Sequence, residues 1–221
     1  MKVLLELLFF NFIDKKLCVL VDEGYSLPNV ELGNYDTINA ALRLKTESVL
    51  NNDIHSHFQV NFEASKKNGN WFVSLPCICF SNYDNISDNY QWVDIDKLII
   101  KKIDLKNNTS KSNTILMPNN QNKLITKTLV LLKEKVKSSN IPVKLLGEKF
   151  IVADIISLYE YFNIKISKQT VKNRFIETSE IIPLNEFIKY KQGKPAEQYT
   201  CNNNKIRNFN TLIGKNLVDS F

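Results

Sequence analysis

Apolar residues come in short blocks through the first half of the chain and recur at helical spacing through the second. The blocks 4–12, 17–21, 58–62 and 71–80 are rich in β-branched and aromatic residues and are bounded by polar turns, which predicts strands. Asp14, Lys15 and Lys16 form a charged turn between the first two. Between the second and third strands, Ile38, Ala41, Leu42 and Val49 fall roughly on one side of a helix over 37–50, with Asp36 as its N-cap. Residues 104–122 are polar, rich in Asn, Ser and Lys, and read as a connection between domains.

Beyond the connection, Leu124, Thr128, Leu131, Leu132 and Val136 predict a helix over 123–137. Ile155, Leu158, Tyr159 and Phe162 predict a second over 152–162, which starts at Ile151 without a side-chain cap. The turn Asn163-Ile164-Lys165-Ile166 then leads into Ser167, a good N-cap for a third helix reaching Thr178. Two helices joined so briefly cross steeply, which is the helix-turn-helix arrangement. Val171, Phe175 and Thr178 form an inward stripe; Gln169, Thr170 and Asn173 lie opposite, flanked by Lys172 and Arg174, with Lys168 in the first turn. Gln and Asn pair bidentately with adenine edges, while Lys and Arg take guanine edges or phosphates. The segments 181–184 and 187–190 are strand-like, Gln192-Gly193-Lys194-Pro195 is a turn, and 197–201 returns as a strand. The product is a hairpin with Lys189, Lys191 and Lys194 near its tip, suited to phosphate contacts that are salt-dependent and blind to sequence.

Composition adds an asymmetry to this pattern. The 221 residues, 43% hydrophobic and 24% charged, are ordinary for a globular chain, and the formal charge is +6. Up to Pro118 there are 12 Lys and Arg against 14 Asp and Glu; after it there are 17 against 9. A basic half beside a slightly acidic one suits a polyanion-binding module joined to one with another task. Glu6 interrupts the apolar start, so the N-terminus reads as a strand rather than a signal peptide. No run approaches the roughly twenty apolar residues of a membrane span. Cys18, Cys77, Cys79 and Cys201 lie among strand-like residues, as small buried hydrophobes of a reducing cytoplasm do, and Cys77 and Cys79 share one side of a strand. His55 and His57 belong to no recognisable ligand set, so neither a metal nor a cofactor is expected.

Several motifs carry a resemblance. They are the run from Leu145 through Gly147, Glu148 and Lys149 to Phe150, then Leu158-Tyr159-Glu160, the polar stretch from Lys168 to Arg174, and Gly193-Lys194-Pro195-Ala196-Glu197-Gln198-Tyr199. Together they resemble the winged-helix half of the bacterial Nudix-related transcriptional regulators, which control NAD metabolism. In the first half, Leu27-Pro28 stands where that family has Leu-Pro-Gly-Gly, and Trp92-Val93-Asp94-Ile95-Asp96-Lys97-Leu98 is similar to its Trp-containing segment. The resemblance implies an α/β chain. An N-terminal Nudix-like α/β/α sandwich with a mixed sheet over 1–118 would serve sensing and dimerisation. A winged helix-turn-helix over 119–201 would bind DNA, and a tail over 202–221 would follow.

A working Nudix helix carries an Arg-Glu-Leu and a Glu-Glu pair that hold divalent metal against a pyrophosphate. Here the stretch Leu42-Arg43-Leu44-Lys45-Thr46-Glu47-Ser48-Val49-Leu50 keeps Glu47 alone. One carboxylate beside Arg43 and Lys45 does not neutralise Mg²⁺, so no hydrolase activity is expected. What remains is a nucleotide-type ligand such as ADP-ribose, with Arg43 and Glu47 as candidate contacts. Phe58, Phe62 and Trp71 suit stacking on an adenine, although strand aromatics more commonly form core. The sequence thus favours a homodimeric, cytoplasmic DNA-binding regulator that meets a near-palindromic operator in double-stranded DNA. The alternatives are a Nudix hydrolase of a nucleoside diphosphate derivative and a winged-helix protein-interaction module.

Overall fold

The computed structural model describes residues 1–51, 56–60, 62–67, 69–80, 86–98, 117, 121–189, 194–203 and 205–209. Of the expected connection over 104–122, all but Met117, Gln121 and Asn122 lies outside the described residues, and the last two already belong to a helix; most of the tail, His55, Lys191 and the Gln192-Gly193 turn lie outside them as well. The chain divides into two compact units, 1–10 with 18–129 and 11–17 with 130–221.

The first unit is built on a seven-stranded mixed sheet. Its strands are β1 (Lys2–Ile13), β2 (Lys16–Asp22), β3 (Asn29–Glu31), β4 (Ser56–Gln59), β5 (Glu63–Lys67), β6 (Asn70–Phe80) and β7 (Tyr90–Asp94). The main path runs β4-β6-β1-β2-β7, with β3 on β1 and β5 on β6. β1 and β6 pair in parallel, Lys2 opposite Phe72 through Phe9 opposite Cys79. The connection between β1 and β2 is a two-residue turn in which Asp14 (φ 49°) and Lys15 (φ 62°) both take left-handed backbone. Two positive φ angles in a two-residue loop match the right-handed twist of the flanking strands.

Helix α1 (Ile38–Leu50) covers one face of the sheet. Its Ala41, Leu42, Val49 and Leu50 pack with Leu5, Leu7, Phe9, Leu20, Cys77 and Cys79. The N-cap is Thr37 rather than Asp36, because the Thr37 hydroxyl is the group that accepts the Ala40 N–H, at 3.1 Å. Cys18, Cys77 and Cys79 are buried thiols, and burial pushes Cys77 up to about 11, which makes it an inert hydrophobe at neutral pH. Helix α2 (Ile95–Leu98) follows β7. Helix α3 (Gln121–Ser138) begins at a buried polar knot. Gln121 Nε2 donates to Glu6 Oε1 at 3.0 Å, Gln121 Oε1 accepts the Leu27 N–H at 2.9 Å, and the Ser74 hydroxyl donates to the second Glu6 oxygen. The carboxylate that interrupts the apolar start of the chain is thus buried and hydrogen-bonded, the condition under which such burial is tolerated. Of the strand aromatics, Phe58 packs against Phe80, whereas Phe62 and Trp71 are 65% and 52% exposed and belong to no core.

The second unit holds the rest of α3, then α4 (Ile141–Lys144), α5 (Val152–Tyr161), α6 (Lys168–Val171) with a π-helical turn Lys172–Ile176, and a hairpin of β8 (Ile181–Ile188) and β9 (Ala196–Cys201). Val136, Ile141, Val143, Leu145, Ile155, Leu158, Tyr159, Val171 and Phe175 are buried in it. Tyr159 donates its hydroxyl to the Val136 carbonyl at 3.0 Å, which satisfies the polar tip of a buried ring.

Candidate nucleic-acid interface

The brief joint between α5 and α6 is fixed by the end of α5. Asn163 takes a left-handed conformation (φ 56°), its N–H bonds to the Glu160 carbonyl at 2.8 Å, and the Ile164 N–H reaches back to Tyr159 at 2.9 Å. This double bond pattern stops a helix sharply, and the buried Ile164 anchors the exit. At the start of α5, where Ile151 has no side chain to cap, the Asp154 carboxylate reaches back to accept the Ile151 N–H at 2.9 Å. Ser167 caps α6 as expected, its hydroxyl oxygen accepting the Thr170 N–H at 3.0 Å.

The outward face of this third helix carries Lys168, Gln169, Thr170, Lys172 and Asn173, all exposed. Gln169 Nε2 donates to Asn173 Oδ1 at 2.5 Å across one turn. That bond orients the Asn173 amide and leaves its two N–H groups free to donate outward, alongside the Gln169 carbonyl oxygen. Arg174 does not share the face. It is 8% exposed, with Nη2 donating to the Lys137 carbonyl at 2.7 Å and the guanidinium stacked 4.1 Å from the Phe209 ring centroid. Burial pulls its pKa down from the usual guanidinium value. The helix also ends earlier than expected, since the π-helical turn closes at Ile176 and Thr178 is already in the following turn, its hydroxyl donating to the Arg174 carbonyl at 2.6 Å. The signal for the inward Arg174 was in the spacing, because it stands three residues after Val171 and next to Phe175.

The hairpin pairs Ile181 with Cys201 and Ile188 with Ala196, with an irregularity between Pro183 and Phe187 where Asn185 takes φ 56°. The two strand-like stretches read on either side of this irregularity are thus one bent strand. Lys189 and Lys194 are exposed on the two sides of residues 190–193. Phe150 joins the hairpin through a bridge to Tyr199, with reciprocal N–H to carbonyl bonds of 3.0 and 2.8 Å. The motif around Phe150 and the motif ending at Tyr199, 49 positions apart in the chain, thus meet on one small sheet.

In the first unit, Arg43 and Glu47 lie on the outward side of α1 and are paired with each other, Nε to Oε1 at 3.0 Å. Lys45 turns instead to Tyr90, donating to its hydroxyl at 3.1 Å. Among the described residues no group of three or more His, Cys, Asp and Glu is placed to hold a metal ion, and no helix is long and apolar enough to cross a membrane.

No protein-family model matches the sequence, and no curated protein matches it. Solved structures do match the fold. NrtR of Shewanella oneidensis, in its crystal structure with a 27mer DNA, superposes with a TM-score of 0.73 at 14% identity, over 90% of this chain and 93% of that one. The same protein crystallised alone gives 0.71, with the same identity and coverage. A MutT/nudix family protein of Enterococcus faecalis gives 0.59 at 11% identity, over 90% of this chain and 87% of that one. The chain therefore has the fold of the Nudix-related transcriptional regulators, a mixed α/β Nudix-like sheet followed by a small helical C-terminal unit with a hairpin.

Proposed function

We propose that the chain is a DNA-binding transcriptional regulator, and that the outward face of α6 with the basic hairpin is its DNA-reading surface. The carrying observation is the exposed, mutually oriented pair Gln169 and Asn173, each directly preceded by an exposed lysine, Lys168 and Lys172, on a helix set at the end of a sharply capped turn. Asn173 and Gln169 would contact base edges, Thr170 would lie beside them, and Lys168, Lys172, Lys189 and Lys194 would take phosphates, with Lys191, between the last two in sequence, as a further candidate. The likeness to NrtR in its DNA complex supports this reading at the level of fold. A two-fold dimer would place two such helices about one helical turn apart on a near-palindromic operator.

The Nudix-like unit would act as a sensor of a nucleotide-type ligand, with ADP-ribose as the example that the family resemblance supplies. Hydrolysis does not fit α1. Glu47 is the single carboxylate along Ile38–Leu50, and it is engaged by Arg43. A metal bridging phosphates needs several oxygen ligands.

The test is selection of duplexes from a randomised pool by the unaltered protein, followed by titration of the selected and an unselected duplex. Preference for the selected duplex, cut about fivefold to a hundredfold by Asn173→Ala, supports the reading. Equal binding of both duplexes, unchanged in Asn173→Ala, refutes it.

A further inference from the structure

The π-helical turn that continues α6 carries one cation that faces the protein rather than solvent. Arg174 Nη2 donates to the Lys137 carbonyl at 2.7 Å, in the last turn of α3. The final carbonyls of a helix have no partners along its axis and form its negative end, so a guanidinium there is well placed. The next carbonyl, that of Ser138, accepts the Phe209 N–H at 2.7 Å. The Phe209 ring lies under the Arg174 guanidinium and meets the buried Phe175 ring edge-on at 5.7 Å. Adjacent carbonyls of α3 therefore hold two things side by side, the third helix and the segment that follows the hairpin.

That segment, 202–209, is fastened a second time. Arg207 Nη1 donates to Oε1 of Glu180 at 3.0 Å, and Asn140 Nδ2 donates to Oε2 of the same carboxylate at 2.7 Å. Asn140 also takes the Arg207 N–H on Oδ1 at 2.9 Å and gives its own N–H to the Arg207 carbonyl at 3.0 Å. Glu180, 1% exposed, directly precedes β8, so the strap is anchored at both ends of the turn leaving the third helix. A guanidinium–aromatic stack of this kind is worth more once shielded from water.

We propose that Arg174 is a positioning residue for DNA recognition. With Phe209 it locks the reading helix against α3 so that Gln169, Thr170 and Asn173 are presented in one fixed pose. The inference rests on the DNA-reading assignment of α6 for its functional consequence, but its mechanical content is independent of DNA. A reading helix held loosely keeps its phosphate contacts, which tolerate small displacement, and loses its base contacts, which do not.

The experiment compares the unaltered protein with Arg174→Lys, Arg174→Met, Phe209→Leu and Lys172→Ala. Amide hydrogen exchange without DNA reads the lock itself. Faster exchange over 168–176 in Arg174→Lys and Phe209→Leu, with 38–50 unchanged, is the expected result; unchanged exchange over 168–176 overturns the proposal. Titration of selected and unselected duplexes over a range of salt reads the consequence. Arg174→Lys and Phe209→Leu are both expected to lose at least tenfold in affinity for the selected duplex, less than about twofold for the unselected one, and nothing in the salt slope. Lys172→Ala should instead lower that slope by about one. A slope lowered by about one in the neutral variant Arg174→Met, as in Lys172→Ala, with Phe209→Leu binding normally, makes Arg174 a direct phosphate contact and overturns the inference while leaving DNA binding intact. Failure of the unaltered protein to prefer its selected duplex removes the DNA assignment instead, and the exchange result then decides the lock alone.

Discussion

Helices α1 and α6 start alike and end differently. Each is capped by a hydroxyl, Thr37 for one and Ser167 for the other, and each carries a side-chain pair one turn apart on its outward face. In α1 that pair is Arg43 with Glu47, a cation and an anion that neutralise one another. From α6 to the π turn that continues it, the pair is Gln169 with Asn173, two amides that keep donors and acceptors in excess after bonding. The pitch differs as well. The α1 backbone runs on to Leu50, and its buried residues follow the helical period. After Val171 the third helix widens into a π turn, in which the Glu177 N–H bonds back to Lys172, and Arg174 and Phe175 both face inward. Outward chemistry is therefore closed on α1 and open on α6, and it is the side-chain pairing, more than helix regularity, that separates them.

The contrast can be broken most forcefully from the inside. Phe175→Ala removes a fully buried ring and its edge contact with Phe209, and is expected to cost about 3–5 kcal/mol in urea unfolding followed by circular dichroism. A loss below about 1 kcal/mol would mean that the inward stripe of the third helix is not core. Next in size, Asn173→Ala should weaken binding to a selected duplex by about 1–3 kcal/mol while leaving unfolding within about 0.5 kcal/mol of the unaltered protein. Equal effects on both would make the outward amide pair a stability device.

The two caps give a smaller and sharper comparison. Thr37→Ala and Ser167→Ala should each cost about 1 kcal/mol of stability, but only Ser167→Ala should reduce DNA affinity. Smallest of all, Glu47→Gln breaks an exposed ion pair and should change stability by less than about 0.5 kcal/mol. Incubation with ADP-ribose and Mg²⁺ should yield no product with or without this change; turnover by the unaltered protein that disappears in Glu47→Gln would turn α1 back into a catalytic helix.

These differences also mark what was legible in the sequence. The long strands were, because Leu4 to Phe12 and Trp71 to Phe80 combine β-formers with polar boundaries, and α1 was, because its apolar period is regular. The short elements were not. β3 has three residues, and α4 has four with Pro142 near its start, too few positions for any period to register. The buried partner of Glu6 could not be read either, since Gln121 stands 115 positions away and local pattern carries no information over that distance. Phe62 and Trp71 carry the composition of core and are exposed, as β-propensity and burial are separate properties. In the third helix, polarity located the outward residues where their partners are local, as with Gln169 and Asn173. It misplaced Arg174, whose environment is made by α3 and by Phe209, 35 positions later.

The end of the second unit has a genetic consequence. The last described strand closes at Cys201, yet a buried carboxylate before the hairpin and the guanidinium of the third helix both draw partners from beyond it. A stop codon or frameshift just after Cys201 would leave every described helix and strand encoded and still strip Glu180 of Arg207 and Arg174 of Phe209. The reading frame is therefore under structural constraint through the codon for Phe209, and an allele truncated at the end of the hairpin should behave as a loss of function rather than as a trimmed tail.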